Sequence, residues 1–193
     1  RRAAQLLTAG EIAREISSET ELGALLNNSI YLIQKQFGFY HASIFLVDAQ
    51  REYAVLQAST GEAGRQMLER NHRLKVGEQG LVGYATSTGL SRVASDVGED
   101  AVHFQNPLLP YTRSEAALPL RVGEQIIGAL DVQSMVSDAF TDEDMNVLQT
   151  IADQLAVAIE KTRLLEEFKN TVKRLDESSQ QATRRDWQFH LRN

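Results

Sequence analysis

The sequence predicts an α+β protein in which antiparallel strand pairs are framed by helices. The strongest observation is a hairpin past the middle of the chain, with apolar runs at 114–121 and 125–134 on either side of Gly123-Glu124. Glycine adopts the positive φ that a two-residue turn requires at little energetic cost. A second pair of apolar runs precedes this hairpin, and residues with helical spacing occur towards both ends of the chain.

Alternation along the hairpin predicts two different faces. One face collects bulky apolar side chains, namely Leu118, Leu120, Leu130 and Val132. The other face collects small residues and one acid, namely Ala117, Pro119, Ala129 and Asp131. Small residues on a sheet face indicate that something packs closely there, either a neighbouring element or a bound molecule.

The chain begins with two helical patterns. In segment 1–18, a narrow apolar stripe predicts a linker helix that packs against one partner helix, and its members are Leu6, Ala9, Ala13 and Ile16. A second helix is predicted over 20–37, with Thr20 as its N-cap and Gly38 as its C-cap glycine.

Two strands and a short helix follow. The run 41–48 is almost wholly apolar, which is typical of a central strand covered on both faces. A strand over 53–59 completes a hairpin with it. A short polar helix is then predicted over 62–72.

Three glycines at three-residue spacing, Gly77, Gly80 and Gly83, come next. Backbone N–H groups in such an array can bind an anion at a helix start. The Lys-Ser/Thr pair of a P-loop is missing, so the favoured interpretation is a turn and a helix over 81–88 that lies tightly on the sheet. A short strand is predicted over 90–94.

The long stretch 95–113 is the best functional signal, because it contains two prolines and has no sustained periodicity. A connection of this length in a compact domain is typically a lid or a binding loop. Arg113 would hold a carboxylate or a phosphate, or would pair with Glu115 at the surface. The candidate ligand contacts in and near the loop are Tyr84, His103, Phe104, Tyr111, Arg113 and Glu115.

A capping box of Thr141 and Asp144 predicts the start of the last helix. Its first part, 141–160, is expected to pack on the sheet. From about residue 161 only a heptad seam stays apolar, which indicates a coiled coil. We expect Ser178-Ser179 to fray the helix. The a/d positions of the seam are Leu148, Ile151, Leu155, Ala158, Thr162, Leu165 and Val172.

Composition excludes several classes of function. The 193 residues contain no cysteine, which removes disulfides, thiolate nucleophiles, Cys-ligated zinc and thioether-linked chromophores. Residues 1–160 carry twelve Lys/Arg against twenty-one Asp/Glu, which argues against nucleic-acid binding. The four histidines follow no recognised ligand spacing, so we expect neither a metal nor haem. No apolar stretch approaches the ~20 residues that membrane insertion requires.

Five stretches in the same order resemble the GAF domain family of signalling modules. They lie within about residues 20 to 163 and read ASIFLVD, LKVGEQGLVGYA, RVASDV, SEAALPLRVGEQIIGALDVQS and AFTDEDMNVLQTIADQLAVAIE. The resemblance implies a central antiparallel sheet with the N- and C-terminal helices packed on one face. The opposite face would carry the short helix and the 95–113 loop, with a small-molecule pocket between them.

The resemblance also implies three segments: a signalling helix at 1–18, a GAF domain at 19–163 and a coiled-coil-like helix extension at 164–193. Such domains are common in bacterial sensor kinases and chemotaxis-type receptors, where they often dimerise through their flanking helices. We therefore expect a cytoplasmic small-molecule sensor within a larger bacterial signal-transduction protein, such as a two-component system, acting as a homodimer. The alternative is a ligand-free dimerisation and relay module in which Leu108-Leu109 fills the pocket.

Some branches of the family do not fit this sequence. Members that attach a bilin through a cysteine and free methionine sulfoxide reductases both need cysteines, which this chain lacks. Cyclic-nucleotide-binding members carry Asp-Glu four residues after a Phe, whereas Leu108-Leu109 follows Phe104 here. No Ser/His/Asp arrangement, carboxylate pair or metal motif indicates catalysis, so we expect the domain not to be an enzyme.

Overall fold

The computed structural model describes residues 19–100, 102 and 104–190. The helix expected in segment 1–18 and the candidate ligand contact His103 lie outside these described residues. The helices are α1 (Leu22–Phe37), α2 (Gly61–Glu69), α3 (Gly80–Thr88) and α4 (Asp142–His190). The strands are β1 (His41–Val47), β2 (Tyr53–Ser59), β3 (Arg73–Lys75), β4 (Arg92–Ala94), β5 (Ser114–Val122) and β6 (Gln125–Ser134).

The described strands form one antiparallel sheet in the order β3-β2-β1-β6-β5-β4. β1 lies inside the sheet and is buried along almost its whole length, which confirms the predicted central strand. The β5–β6 hairpin also forms as predicted, with Gly123 at a φ of 59° and Leu118 opposite Leu130. β3 was not predicted, because three residues are too few to show an alternation.

The bulky face of the sheet is covered by α1 and α4. Leu118 and Leu130 are fully buried there, in one apolar cluster with Ile33 of α1 and with Leu148 and Leu155 of α4. A fully buried leucine contributes about 1.5–3 kcal/mol through removal of its apolar surface from water. This cluster is therefore the main core of the domain.

The small-residue face of the sheet is covered by α3. Ala117 and Ala129 are fully buried in a second cluster, together with Leu81 and Ala85 of α3. A neighbouring element is therefore the correct interpretation for these two alanines. Asp131 lies further along the same face and borders a cavity instead. Helices on both sides of an antiparallel sheet give the α+β class that the sequence predicts.

The C-terminus of α1 agrees with the prediction, whereas its N-terminus does not. Gly38 caps the C-terminus with a φ of 70°, as expected. The N-cap residue is Glu21 and not Thr20, and its side chain makes no capping hydrogen bond. The backbone N–H of Leu22 instead donates to Oε1 of Glu166 at 2.9 Å, so the acceptor comes from α4.

α4 begins with the predicted capping box. The Asp144 N–H donates to Thr141 Oγ1 at 3.2 Å, and the Thr141 N–H donates to Asp144 Oδ2 at 3.1 Å. The helix then continues without a break through Ser178-Ser179, so the expected fraying is wrong. Serine in a helix interior costs only about 0.5 kcal/mol, which is too little to interrupt it. Among the described residues, no helix combines the length and the apolar character needed to cross a membrane.

Candidate functional site

The 95–113 loop crosses the small-residue face beside α3 and borders an inner cavity of about 30 Å³. This inner cavity has room for about two water molecules. The sheet supplies its floor, and the loop supplies its roof. Its described lining consists of His41, Ser43, Phe45, Met67, His72, Leu74, Gly80, Val82, Phe104, Asn106, Leu109, Glu115, Asp131 and Gln133.

Two acidic side chains lie together at the floor of the inner cavity. Glu115 on β5 and Asp131 on β6 are 6 % and 3 % exposed, and the Glu115 side chain is hydrogen-bonded to Asp131. Burial raises the pKa of Glu115 to about 7, and the negative charge of Asp100 acts in the same direction. The hydrogen bond with Asp131 opposes this shift, because it stabilises the Glu115 carboxylate and lowers its pKa, but burial outweighs it.

A chain of hydrogen bonds connects this acidic pair to the loop. The Gln133 amide donates through Nε2 to Asp131 Oδ2 at 2.9 Å. Thr112, at the end of the loop, donates through Oγ1 to Gln133 Oε1 at 2.6 Å. Both ends of the Gln133 amide are thus used, which fixes its orientation.

A buried histidine lies on the other side of the cavity floor. His41 Nε2 is 2.8 Å from Ser43 Oγ and 3.0 Å from Ser59 Oγ. Burial lowers the pKa of His41 to about 4, so the ring is neutral at pH 7. Register places Ser43 directly opposite Asp131, which brings this hydroxyl next to the acidic pair.

The electrostatics of the inner cavity favour one kind of guest. No lysine or arginine occurs among its described lining residues, and the pKa values of both lining histidines are lowered by burial. Besides these histidines, the ionisable groups of the described lining are the carboxyl groups of Glu115 and Asp131. A group that donates hydrogen bonds, either neutral or cationic, matches this lining, and an anion does not.

A second, larger cavity of about 750 Å³ also borders the loop. Its size is that of an ordinary small-molecule site. Its described lining consists of Val97, Gly98, Phe104, Gln105, Asn106, Pro107, Leu109, Pro110, Thr112 and Gln133.

Of the five predicted contacts that the structure describes, two line these cavities. Glu115 lines the inner cavity, and Phe104 lines both. Tyr84 stacks its ring 5.2 Å from the Arg92 guanidinium, and Tyr111 is 67 % exposed. The lining of neither cavity includes these two tyrosines.

Arg113 is used to close the base of the loop. Its guanidinium pairs with Asp96 Oδ2 at 2.8 Å and donates to Ser137 Oγ at 2.9 Å. The expected partner, Glu115, is buried in the cavity floor. The backbone N–H of Val97 donates to the Arg113 carbonyl at 2.9 Å, which ties the two ends of the loop together.

Sequence reasoning missed six polar residues of the described lining of the inner cavity: His41, Ser43, His72, Asn106, Asp131 and Gln133. A usable signal was present for the two on β6, because strand alternation places Asp131 and Gln133 on the same face as Ala117 and Glu115. The described residues contain no group of three or more His, Asp or Glu side chains able to hold a metal ion.

A six-stranded antiparallel sheet with helices on both faces and a loop-covered cavity defines the class of α+β domain to which the chain belongs. A family model described as "GAF domain" matches residues 19–160, about three quarters of the chain. The chain belongs to the GAF domain family. None of the curated protein sequences matches the chain.

Solved structures show the same fold. A GAF domain of a phosphoenolpyruvate-protein phosphotransferase from Coxiella burnetii aligns with a TM-score of 0.77 at 22% identity, covering 85% of this chain and 97% of that one. The corresponding domain from Acinetobacter aligns with a TM-score of 0.72 at 22% identity, covering 83% and 95%. The free methionine-R-sulfoxide reductase of Neisseria meningitidis, in complex with its substrate, aligns with a TM-score of 0.73 at 25% identity, covering 84% and 92%.

Proposed function

We propose that this domain senses a small neutral or cationic molecule in the cavity beneath the 95–113 loop. The ligand biases the position of α4 and so regulates an output domain of a larger cytoplasmic signalling protein. The observation that carries this proposal is the hydrogen-bonded pair of Glu115 and Asp131. Both are buried at positions where apolar side chains would stabilise the fold more. Strongly perturbed ionisable groups in a cavity are concentrated at functional sites.

Strand alternation supports a route from the cavity to α4. Asp131 faces the cavity, whereas its chain neighbours Leu130 and Val132 face the opposite side and are fully buried in the α4 cluster. A shift of β6 that follows ligand binding would therefore displace side chains on which α4 rests. Because interiors are closely packed, such a shift is transmitted and not absorbed.

Catalysis is not part of the proposal. Reduction of a sulfoxide needs a two-electron donor, and the side chain that serves reversibly in this role is the cysteine thiol. This chain contains no cysteine. The 25% identity to a reductase in complex with its substrate supports a shared ligand position, and methionine sulfoxide is therefore one compound to test for binding.

The second candidate function is relay through a dimer without a ligand. It is favoured by an apolar stripe on the outer side of α4, consisting of Val157, Leu164, Phe168 and Leu175, each more than half exposed. Their spacing of seven, four and seven residues places them on one helix face. The heptad positions up to Thr162 are buried against the domain, so this outer stripe is the surface for a second copy.

The sensing proposal is tested by thermal unfolding with amines, amino acids, methionine sulfoxide and organic acids. We expect a neutral or cationic compound to raise Tm, since a ligand at 100 times its Kd stabilises by about 2.7 kcal/mol. The rise should be lost in Asp131→Asn and kept in the exposed-turn control Glu124→Gln. A panel in which nothing raises Tm, or in which only anions do, contradicts the proposal.

The relay candidate is tested separately by sedimentation of the whole chain. Phe168→Ser and Leu164→Ser should convert dimers to monomers, whereas Asn170→Ser, on the other side of α4, should not. A chain that stays monomeric at high concentration removes the relay candidate and leaves the ligand tests unaffected.

A further inference from the structure

We propose that Met67 is a modification site, at which a peroxide converts the thioether to a sulfoxide whose oxygen lies in the inner cavity and accepts a hydrogen bond from Asn106. The inference goes beyond the proposed function, because this oxidative input needs no sensed ligand. Three observations carry it: a buried thioether that lines a cavity, the space beside it, and an amide group that already donates to its sulfur.

Methionines are the oxidisable sulfur sites of this chain. It contains three of them, Met67, Met135 and Met145, and no cysteine, so an oxidant that modifies sulfur reversibly can act only on thioethers. Met135 is 58 % exposed, and Met145 packs against the main core. Met67 is only 3 % exposed, yet it is the one methionine in the described linings of the two cavities.

The fold fixes the position of Met67. The residue lies in the last turn of α2, where its carbonyl accepts from the His72 N–H at 3.0 Å. A Cβ added at Gly64 would come within 2.7 Å of the Ser59 carbonyl carbon, so α2 lies as close to the end of β2 as a glycine allows. Because α2 is held in this way, a chemical change at the sulfur acts on the loop rather than on the helix.

Asn106 presents a donor to the sulfur. Its Nδ2 donates to Met67 Sδ at 2.9 Å, and its Oδ1 accepts from the Leu108 N–H at 3.0 Å. Since Oδ1 is used within the turn, the N–H side of the amide faces the sulfur. A thioether is a weak acceptor, whereas a sulfoxide is strongly polar. Oxidation therefore strengthens a contact that the reduced protein already makes.

The inner cavity has space for the added oxygen. Its volume of about 30 Å³ has room for about two water molecules, which is also enough for hydrogen peroxide. A sulfoxide in a wholly apolar core is disruptive, because its oxygen has no partner there. Here the oxygen enters a space that is already present and meets the Asn106 amide. The oxidised side chain is therefore accommodated within the folded domain.

The chemical step is a transfer of one oxygen atom. A lone pair of the Met67 sulfur attacks one oxygen of hydrogen peroxide, so the S–O bond forms as the O–O bond breaks. The proton on the transferred oxygen passes to the departing hydroxide, which leaves as water. The sulfur loses two electrons and the peroxide gains them. Methionine sulfoxide reductases reverse this modification, so the site is able to return to its reduced form.

The expected consequence is a more firmly held loop. Arg113 and Thr112 fix the loop where it joins β5, through Asp96 and Gln133. In the reduced protein, the hydrogen bond of Asn106 to α2 depends on a weak sulfur acceptor. Oxidation replaces it with a stronger hydrogen bond, and the new oxygen takes the place of about one water molecule in the inner cavity.

Hydrogen peroxide and mass spectrometry test the modification. Met135→Leu and Met145→Leu together leave Met67 as the single thioether, and leucine is a conservative replacement for methionine. Below the unfolding transition, we expect the oxidation rate of Met67 to change little with urea. The Tm of the oxidised protein should lie within about 3 °C of that of the reduced protein.

Met67→Leu in the same background is the control and should gain no oxygen. A rate that follows global unfolding, or a larger fall in Tm on oxidation, overturns the proposal. Peptide mapping of the oxidised wild-type chain distinguishes Met67 from the other two methionines, and it supplies the same rates if the double variant does not fold.

Asn106→Ser tests the role of the amide. Serine keeps an acceptor for the Leu108 N–H but is too short to reach the sulfur. Oxidation should lower Tm more in this variant than in Gln105→Ser, at the exposed neighbouring position. In the oxidised background, hydrogen exchange at Leu108 and Leu109 should slow by about threefold or more, and Asn106→Ser should abolish this slowing.

Equal Tm changes in Asn106→Ser and Gln105→Ser, or unchanged exchange at Leu108 and Leu109, overturn the role of Asn106. The ligand screen uses the reduced protein, so a failed modification site and a failed sensing function give different results.

Discussion

The carboxylate of Glu166 accepts a hydrogen bond from the backbone N–H of Leu22 at 2.9 Å, across 144 positions of the chain. α1 has no side-chain cap of its own, so its first turn is completed by α4. The bond joins the point where the chain enters the domain to the point where α4 leaves it. Any movement of α4 relative to the sheet must either carry the start of α1 along or break this bond.

Replacement of Glu166 by alanine should lower the free energy of unfolding by about 1 kcal/mol, the usual worth of an N-terminal cap. The measurement is urea denaturation of the whole chain. Glu167→Ala, at an exposed neighbouring position of the same helix, is the matched control and should change stability by less than about 0.5 kcal/mol. Equal effects of the two substitutions would show that the capping bond is not formed in solution.

Glu115→Gln should stabilise the domain in alkaline solution. The pKa of Glu115 is raised to about 7 in the fold, against an ordinary value of 4.5. The contribution of the wild-type side chain to the free energy of unfolding is therefore fully present below about pH 4.5. It is lost as the pH rises through 7, and the total loss is about 3 kcal/mol. Glutamine keeps an amide group that can hydrogen-bond with Asp131 and carries no titrating proton.

The check on Glu115 is a series of denaturant titrations from pH 5 to pH 8.5. The free energy of unfolding of the variant, relative to that of the wild type, should increase as the pH rises. Glu124→Gln in the exposed β5–β6 turn should show no such increase. A difference between variant and wild type that does not depend on pH would mean that Glu115 is already ionised in the folded state.

His41 should make the domain sensitive to acid. Its pKa is lowered by burial to about 4, against an ordinary value of 6.5. As the pH falls from 6.5 to 4, the unfolded chain binds a proton that the folded state does not, and stability falls by about 3 kcal/mol. Above pH 6.5 this histidine makes no pH-dependent contribution.

The acid effect of His41 is best measured in a Glu115→Gln background, because Glu115 changes stability in the opposite direction over the same pH range. Stability from pH 7 to pH 4 is compared with and without His41→Asn. The slope below pH 6.5 should become shallower in the variant. An unchanged slope would locate the acid sensitivity in other groups.

Ala117→Leu should destabilise the domain by about 1–3 kcal/mol, the usual cost of overfilling a packed site. Ala117 is fully buried beneath α3, and four-carbon side chains have no space there. Ala49→Leu, in an exposed turn, is the matched control. The measurement is the Tm of both variants by thermal unfolding. An unaltered Tm for Ala117→Leu would mean that α3 is not closely packed on the sheet.

The parts of the fold that local patterns control could be predicted from the sequence. β1, β2 and the β5–β6 hairpin each show their own apolar run, and Gly38 and Thr141 mark helix ends through chemistry within a few residues. The N-terminus of α1 could not be predicted, because Glu166 supplies its acceptor from far along the chain. Three-residue β3 depends on pairing with β2 and carries too little pattern of its own.

The cavity was predictable only in outline. The length of the 95–113 loop indicated a site, and Phe104 and Glu115 line it. Arg113 and Tyr111 have the chemistry of recognition but point to other partners, Asp96 and Tyr40, because the sheet register at the loop ends decides their direction. His41 and Ser43 come from a strand about 90 residues before Asp131 in the chain, and the pairing of β1 with β6 brings them together.

The unbroken length of α4 has a mechanical consequence. Beyond Glu166 the helix extends for about 36 Å, at 1.5 Å per residue. A tilt of only 10° at the sheet-bound base would swing the far tip sideways by about 6 Å. A small rearrangement at the cavity would thus produce a much larger displacement at the far end of α4.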